Sequence, residues 1–418
     1  MAYTLMNRIW IAFAFFCSMS ACTKSTTSHD NTFDPASKPV INSFNPMTGP
    51  VDTTVVISGA NFNPDLTKDI VTFNGITAVI KSGTTTQLVV TVPQGASSGN
   101  ITVTVDTNTV ISTNIFTVTG NRWTLITRFP GTLMDDMASF QLGNKIFIGM
   151  GYSNDGPSKE FWQYDLSTGK WTRKADFPGA VPGQNIGFAV RNKGYVIVDL
   201  ENVSQNLPLW EYDTALDTWT SRANFPQPSL DASMIAFTVD DYAYAGGTND
   251  GFPNHSKNMF RYDPGANAWT GIADYPGDGV EFNASFVIGH YAYVGTGTIG
   301  LTFFGPADTH KEFYRYDPST NTWTRKSDFP GTSRCFATGF SIGNFGYMGT
   351  GTNPPLTNDF WRYDPSMDSW KQIENFGGGY RVGANSFSGD QSGYAGFGHG
   401  GANEYQGDTQ IDLWQYHP

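Results

Sequence analysis

Cysteine is nearly absent from this chain, with 3 in 418 residues. Cys17 lies in an apolar N-terminal segment and Cys22 closes it, so Cys335 stands alone in the remainder and no intramolecular disulfide can staple the fold. A lone cysteine inside a strand pattern reads as a small buried apolar residue. Charge is also scarce: charged residues make up 15%, and acids outnumber bases 37 to 25 for a net charge of −12. Lacking a concentrated basic surface, the chain has no nucleic-acid partner in this reading. Long stretches of helical periodicity are missing. The 6 histidines show neither His-x-His nor His-x3-His spacing, so no metal and no cofactor are expected.

What is abundant is glycine, at 46, and aromatic residues, at 15%. With so little helical signal, that profile predicts all-β structure rich in turns. The N-terminus reads as a targeting segment, with Arg8 ahead of the apolar run Ile9 to Phe16, too short to span a bilayer comfortably. Ser20 and Ala21 directly before Cys22 resemble the lipobox of bacterial lipoproteins, though Met19 stands where leucine is usual. The resemblance implies a signal peptide over 1–21, lipidation of Cys22, a flexible tether over 22–37, and a place in the cell envelope, at the outer membrane. The membrane is met through that lipid anchor only.

From 38 to 119 the chain runs through short β-rich segments: Val55 to Ser58, Ile70 to Phe73, Thr77 to Lys81, Leu88 to Val92 and Ile101 to Val105. Asn74-Gly75 marks a hairpin turn. Such a segment makes a β-sandwich. Ser43 to Pro50, Ser58-Gly59-Ala60-Asn61-Phe62, Val92-Pro93 and Ser98-Gly99 resemble the IPT/TIG immunoglobulin-like domains, which serve as spacers and binding modules alike.

From 120 to 418 a repeat of about 50 residues takes over. Five Tyr-Asp pairs, beginning at Tyr164, Tyr212, Tyr262, Tyr316 and Tyr363, each precede a tryptophan seven residues beyond the tyrosine: Trp171, Trp219, Trp269, Trp323 and Trp370. Trp123 has no pair before it, and the terminal Tyr416-His417 has no tryptophan after it. The two fragments complete one unit, so the repeat closes into a ring. Phenylalanines Phe140, Phe188, Phe237, Phe286, Phe340 and Phe387 mark inner strands, and another aromatic follows each by seven residues. Repeated aromatics read as packing between units, since one ligand has no need of six copies.

These units resemble Kelch repeats, although the usual glycine doublet survives only as Gly246-Gly247. The resemblance implies a six-bladed β-propeller, closed where an N-terminal outer strand around Trp123 joins the last blade. Loops entering the inner strands and loops between second and third strands then share one face, which is where binding residues belong. The opposite face, with short turns, is expected to be structural.

Residues that break the repeat supply the candidate site. Arg334 and Arg381 fall at one repeat position in adjacent blades, near the carboxylates Asp135, Asp136, Asp231 and Glu281 and the amide Asn283. Together they could clamp an acidic or hydroxyl-rich ligand, or form salt bridges between blades. His310 lies in a loop of the same face near Asp308 and Glu312, and the loop aromatics Phe303 and Phe304 suit carbohydrate stacking. The reading is a binding protein that presents this face to a glycan or protein ligand, in preference to an enzyme. The alternatives are a carbohydrate-active Kelch enzyme resembling sialic acid mutarotases or, less so, copper oxidases, and a structural scaffold of an envelope complex. No residue motif of the mutarotases is matched. Copper would need tyrosine and histidine ligands with a Tyr-Cys crosslink, for which only Cys335 is available.

Overall fold

The computed structural model describes residues 33–418 except 94–95, 97, 121, 154, 181–182, 184, 199–205, 229–232, 250–254, 280, 300–307 and 402–406. The expected signal peptide over 1–21, Cys22, Asp231, Phe303 and Phe304 lie outside the described residues. Among the described residues the chain is all-β, its one helical element being a single 3₁₀ turn at Leu66–Lys68.

The N-terminal unit is an Ig-like sandwich of two sheets. One contains, in spatial order, Val40–Asn45, Thr54–Ala60, Gln87–Thr91 and Val79–Thr84; the other contains Thr48–Gly49, Asn108–Val118, Gly99–Val105, Asp69–Phe73 and Ile76–Thr77. Alternation places Val55, Ile57, Leu88 and Val90 of the first sheet against Val71, Phe73, Ile101 and Val103 of the second. Asn74 and Gly75 both take positive φ, 44° and 91°, and turn the chain so that Ile76 pairs with Phe73. The strand expected from Thr77 to Lys81 is divided: Ile76–Thr77 belongs to one sheet and Val79–Thr84 to the other, with buried Ala78 at the crossing.

The C-terminal unit is a β-propeller of six four-stranded antiparallel sheets. In the first blade the strands run outward as Ala138–Leu142, Lys145–Gly149, Phe161–Asp165 and Lys170–Arg173. The six inner strands are Ala138–Leu142, Asn185–Val190, Ile235–Val239, Ala284–Ile288, Thr338–Ile342 and Asn385–Phe387. Each lies against the next and the sixth against the first, so the ring is closed. The sixth blade takes its outer strand, Arg122–Arg128, from the start of the unit. It pairs with Asp412–His417 from Arg122 opposite His417 to Arg128 opposite Asp412.

The repeated residues join one blade to the next. In the first five blades the inner phenylalanine stacks on the aromatic of its second strand, as Phe140 on Phe147 and Phe340 on Tyr347. Its outer side meets the neighbouring blade where little room remains: a Cβ on Gly194, Gly346 or Gly393 would fall 1.9–2.0 Å from the ring of Phe140, Phe286 or Phe340. Outer-strand tryptophans donate their indole N–H to the preceding blade, Trp219 to Ala175 O, Trp269 to Ala223 O, Trp323 to Ala273 O and Trp370 to Ser327 O. In the second to fifth blades the repeat tyrosine donates its hydroxyl to an Asn or Asp five residues on, such as Tyr262 to Asn267 and Tyr316 to Asn321. That same oxygen accepts a backbone N–H of the preceding blade, from Ala223 or Ala273. Burial pushes the Tyr262 and Tyr316 phenols up to about 12, so they remain donors. The paired aspartate acts separately. Asp165 and Asp317 accept backbone N–H groups two residues on, closing the turn.

Only residues 119–121 separate the last Ig-like strand from the closing strand of the ring. Gly120 takes φ +64°, and a Cβ there would strike the carbonyl of Pro418 at 2.2 Å. Lys371 of the fifth blade forms an ion pair with Asp52 of the sandwich. The sandwich therefore meets the propeller on the face of the short turns, where the chain ends.

Candidate functional site

The loops leading into the inner strands gather around the opposite mouth of the ring. Asp135 pairs with Tyr152, Glu281 with Thr298 and Cys335 with Thr352, which fixes entry loops and second-to-third loops on one face as the repeat grammar requires. Among the described residues, the backbone four residues before the inner phenylalanine turns left-handed in four blades: Asp136 at φ 53°, Phe282 at 53°, Phe336 at 55° and Gly383 at 64°. A collar of backbone bonds pins this position. The N–H of Gly383 donates to Phe336 O, that of Phe336 to Phe282 O, and that of Phe282 to Ser233 O. Phenylalanine rarely takes such a backbone, and strain of this kind persists only where the surroundings over-determine it. Here it sets the half-buried rings of Phe282 and Phe336 face to face, with centroids 3.8 Å apart and planes inclined by 25°.

At the sixth blade the same position has no side chain. Beside Gly383 opens a notch of about 330 Å³ lined by Asp135, Asp136, Phe336, Val382, Gly398 and His399. Asp135 accepts the hydroxyl of Thr409 at 2.7 Å through Oδ2, and its Oδ1 lies 3.8 Å from His399 Nδ1. Below the mouth the axis continues through a channel where Ser139, Gly187, Ala236, Ser285, Gly339 and Ser386, one from each inner strand, keep the bore open.

The two arginines require a correction. Arg334 and Arg381 are 1% and 0% exposed, and each is closed within its own blade, so they form neither a ligand clamp nor a bridge between blades. Arg334 holds Asp359 through both terminal nitrogens at 2.6 and 3.0 Å and also donates to Thr350 O. Arg381 repeats the arrangement with Asp412 at 2.7 and 3.2 Å and with Phe397 O. Thr350 and Phe397 are the left-handed middle residues of the Gly-x-Gly turns, φ 58° and 59°, so the arginines brace the strand ends that have lost the glycine doublet. Asn283 does the same work with Thr296 O, and Asn185 with Met150 O.

Glu281 is 1% exposed, and its carboxylate lies 2.8 Å from His255 Nδ1 across the boundary of the third and fourth blades. His310 Nε2 lies 3.9 Å from Asp308 and His399 of the sixth blade faces Asp135, and no three His, Cys, Asp or Glu side chains gather in a metal-binding group among the described residues. Burial, reinforced by the Glu281 carboxylate, pushes the Cys335 thiol up to about 12, leaving it protonated and inert.

Of the residues singled out from sequence, Asp135 and Asp136 therefore line the mouth. Arg334, Arg381, Glu281 and Asn283 are committed inward. The pattern missed Phe282, Phe336 and Gly383. Their signal was present in the fixed offset of four residues before each inner phenylalanine.

Comparison with known proteins bears on the fold. Residues 39–124 match the IPT/TIG domain model. The solved structure titled "Structure of YjhT", a β-propeller, is similar to this chain with a TM-score of 0.55 at 14% identity, covering 69% of this chain and 95% of that one. It is among 629 solved chains that match, a breadth at which shared architecture says little about ligand. No curated protein matches the chain.

Proposed function

We propose that this chain is a lipid-anchored cell-envelope protein of the bacterial outer membrane, whose sandwich carries a Kelch-type propeller and whose loop-rich face binds a glycan. The observation that carries this reading is the stacked pair Phe282 and Phe336, held at the mouth on left-handed backbone beside Asp135 and Asp136. Exposed ring faces stack on the apolar face of a sugar while carboxylates accept its hydroxyls, a combination that suits carbohydrate better than a flat protein surface. The buried arginines are occupied, so the reading does not rest on them.

A glycan array probed with the full chain is expected to retain a defined set of saccharides, and Phe336→Ala is expected to weaken that binding by roughly tenfold, the share of one stacked ring. An array with no saccharide retained, where a known binder scores, turns the reading toward a protein ligand. A carbohydrate-active enzyme is the second reading. It is favoured by one observation, that Asp135 and His399 are both part-exposed and 3.8 Å apart at the mouth, where they could relay a proton. Absence of any accelerated anomer exchange by NMR removes it.

A further inference from the structure

The notch beside Gly383 has an electrostatic character opposite to that of an arginine clamp, and this decides the kind of sugar it suits. We infer that the notch binds the protonated amine of an amino sugar, an inference that rests on the glycan reading above.

Three observations carry it. First, the notch exists because one side chain is missing: a Cβ on Gly383 meets no atom within 4 Å, whereas the first, fourth and fifth blades place Asp136, Phe282 and Phe336 at this position. The space is thus a subsite of the collar, bounded by Phe336 on the fifth-blade side and by Asp136 on the first-blade side. Second, its charge is negative. Asp135 and Asp136 line it together with a single imidazole, His399, and the nearby guanidinium of Arg381 is fully buried and matched by Asp412 beneath the Val382 wall. Among the described residues that line the notch, an anion meets two carboxylates and neither a lysine nor an arginine, while an ammonium group finds both of its usual partners, carboxylate oxygen and aromatic face. Third, Asp135 is fixed in place on the notch wall: the Thr409 hydroxyl donates to its Oδ2, and its buried Oδ1 lies 3.8 Å from His399 Nδ1.

The experiment is titration of the full chain, by calorimetry in low salt below the pKa of the sugar amine, with three tetramers: fully de-N-acetylated glucosamine, N-acetylglucosamine and glucose. The glucosamine tetramer is expected to bind at least about tenfold more tightly than the other two, and to weaken steeply as salt is added. Asp136→Asn, which changes charge with little change of shape, is expected to remove most of that preference. Gly383→Phe copies the solution of the fourth and fifth blades and fills the notch, and it is expected to abolish binding; should it fail to fold, Gly383→Asn, a residue that tolerates left-handed backbone, takes its place.

Equal affinity for all three tetramers, with loss in Gly383→Phe, overturns the amine assignment and leaves the glycan reading intact. Tighter binding of the N-acetylated tetramer, or full preference retained by Asp136→Asn, also overturns it. If no tetramer and no array saccharide binds, the glycan reading fails and the inference falls with it.

Discussion

A guanidinium sealed from water must be matched donor by donor, and Arg334 is matched by a bidentate carboxylate, two threonine hydroxyls and two carbonyls. Removing one partner is then costly because the other charge remains buried. Asp359→Ala is expected to destabilise the propeller by about 3 kcal/mol, whereas the double change Arg334→Met with Asp359→Leu recovers most of the loss. Urea denaturation measures both. If Asp359→Ala leaves stability unchanged and ligand binding is lost, the pair belongs to the site after all. At this scale the sequence was half legible. Charged residues that break a repeat stand out, so Asp135, Asp136, Arg334 and Arg381 were all found. Their roles were not, because whether a side chain faces the mouth or folds back on its own strand depends on backbone turns with no compositional mark. Phe336 illustrates the limit: in a chain this rich in aromatics, a mouth phenylalanine reads as one more packing residue.

The elements were easier to read, since alternation in a half-buried strand repeats every two residues and each blade repeats the alternation. The exceptions have local causes. The single apolar run from Ile76 to Ile80 serves two sheets, and Asn108–Val118 escaped notice because a bulge and the exposed Ile111 and Ile115 break its alternation. The closing strand was visible through Trp123, whose ring packs among Phe340, Phe360, Phe376 and Tyr416 and whose indole N–H donates to Glu374 O. Burial holds the Glu374 carboxyl up at about 7, with Arg122 pulling the other way. The native state thus keeps a proton that the unfolded chain releases near 4.5, so this group's contribution to stability is full below pH 4.5 and declines as pH rises toward 7. Glu374→Gln is expected to remove that slope and to be more stable than the parent above pH 7. After allowance for partial exposure the gain is about 1–2 kcal/mol, read as melting temperature against pH. Identical pH profiles for the two proteins would show that the seam does not titrate.

At the scale of the whole molecule, the two ends of the functional axis lie on opposite faces of one ring. The mouth opens on the side of the long loops, and the sandwich joins on the side of the short turns through residues 119–121. A load drawn between something held at the mouth and whatever holds the sandwich runs along the strands of the sixth blade. It drags Arg122–Arg128 lengthwise past Asp412–His417, so that the bonds of the pairing from Arg122 to Arg128 resist together. Pulling the sandwich and the C-terminus apart is different, because Arg122 and His417 sit side by side and the same bonds break in succession. Single-molecule pulling should therefore give a clearly higher rupture force between the sandwich and a loop-face attachment than between the sandwich and Pro418, and equal forces would contradict this geometry. The seam that closes the ring is, in mechanical terms, a shear joint: weakest when its own two ends are drawn apart and strongest when the protein is pulled by what it has caught.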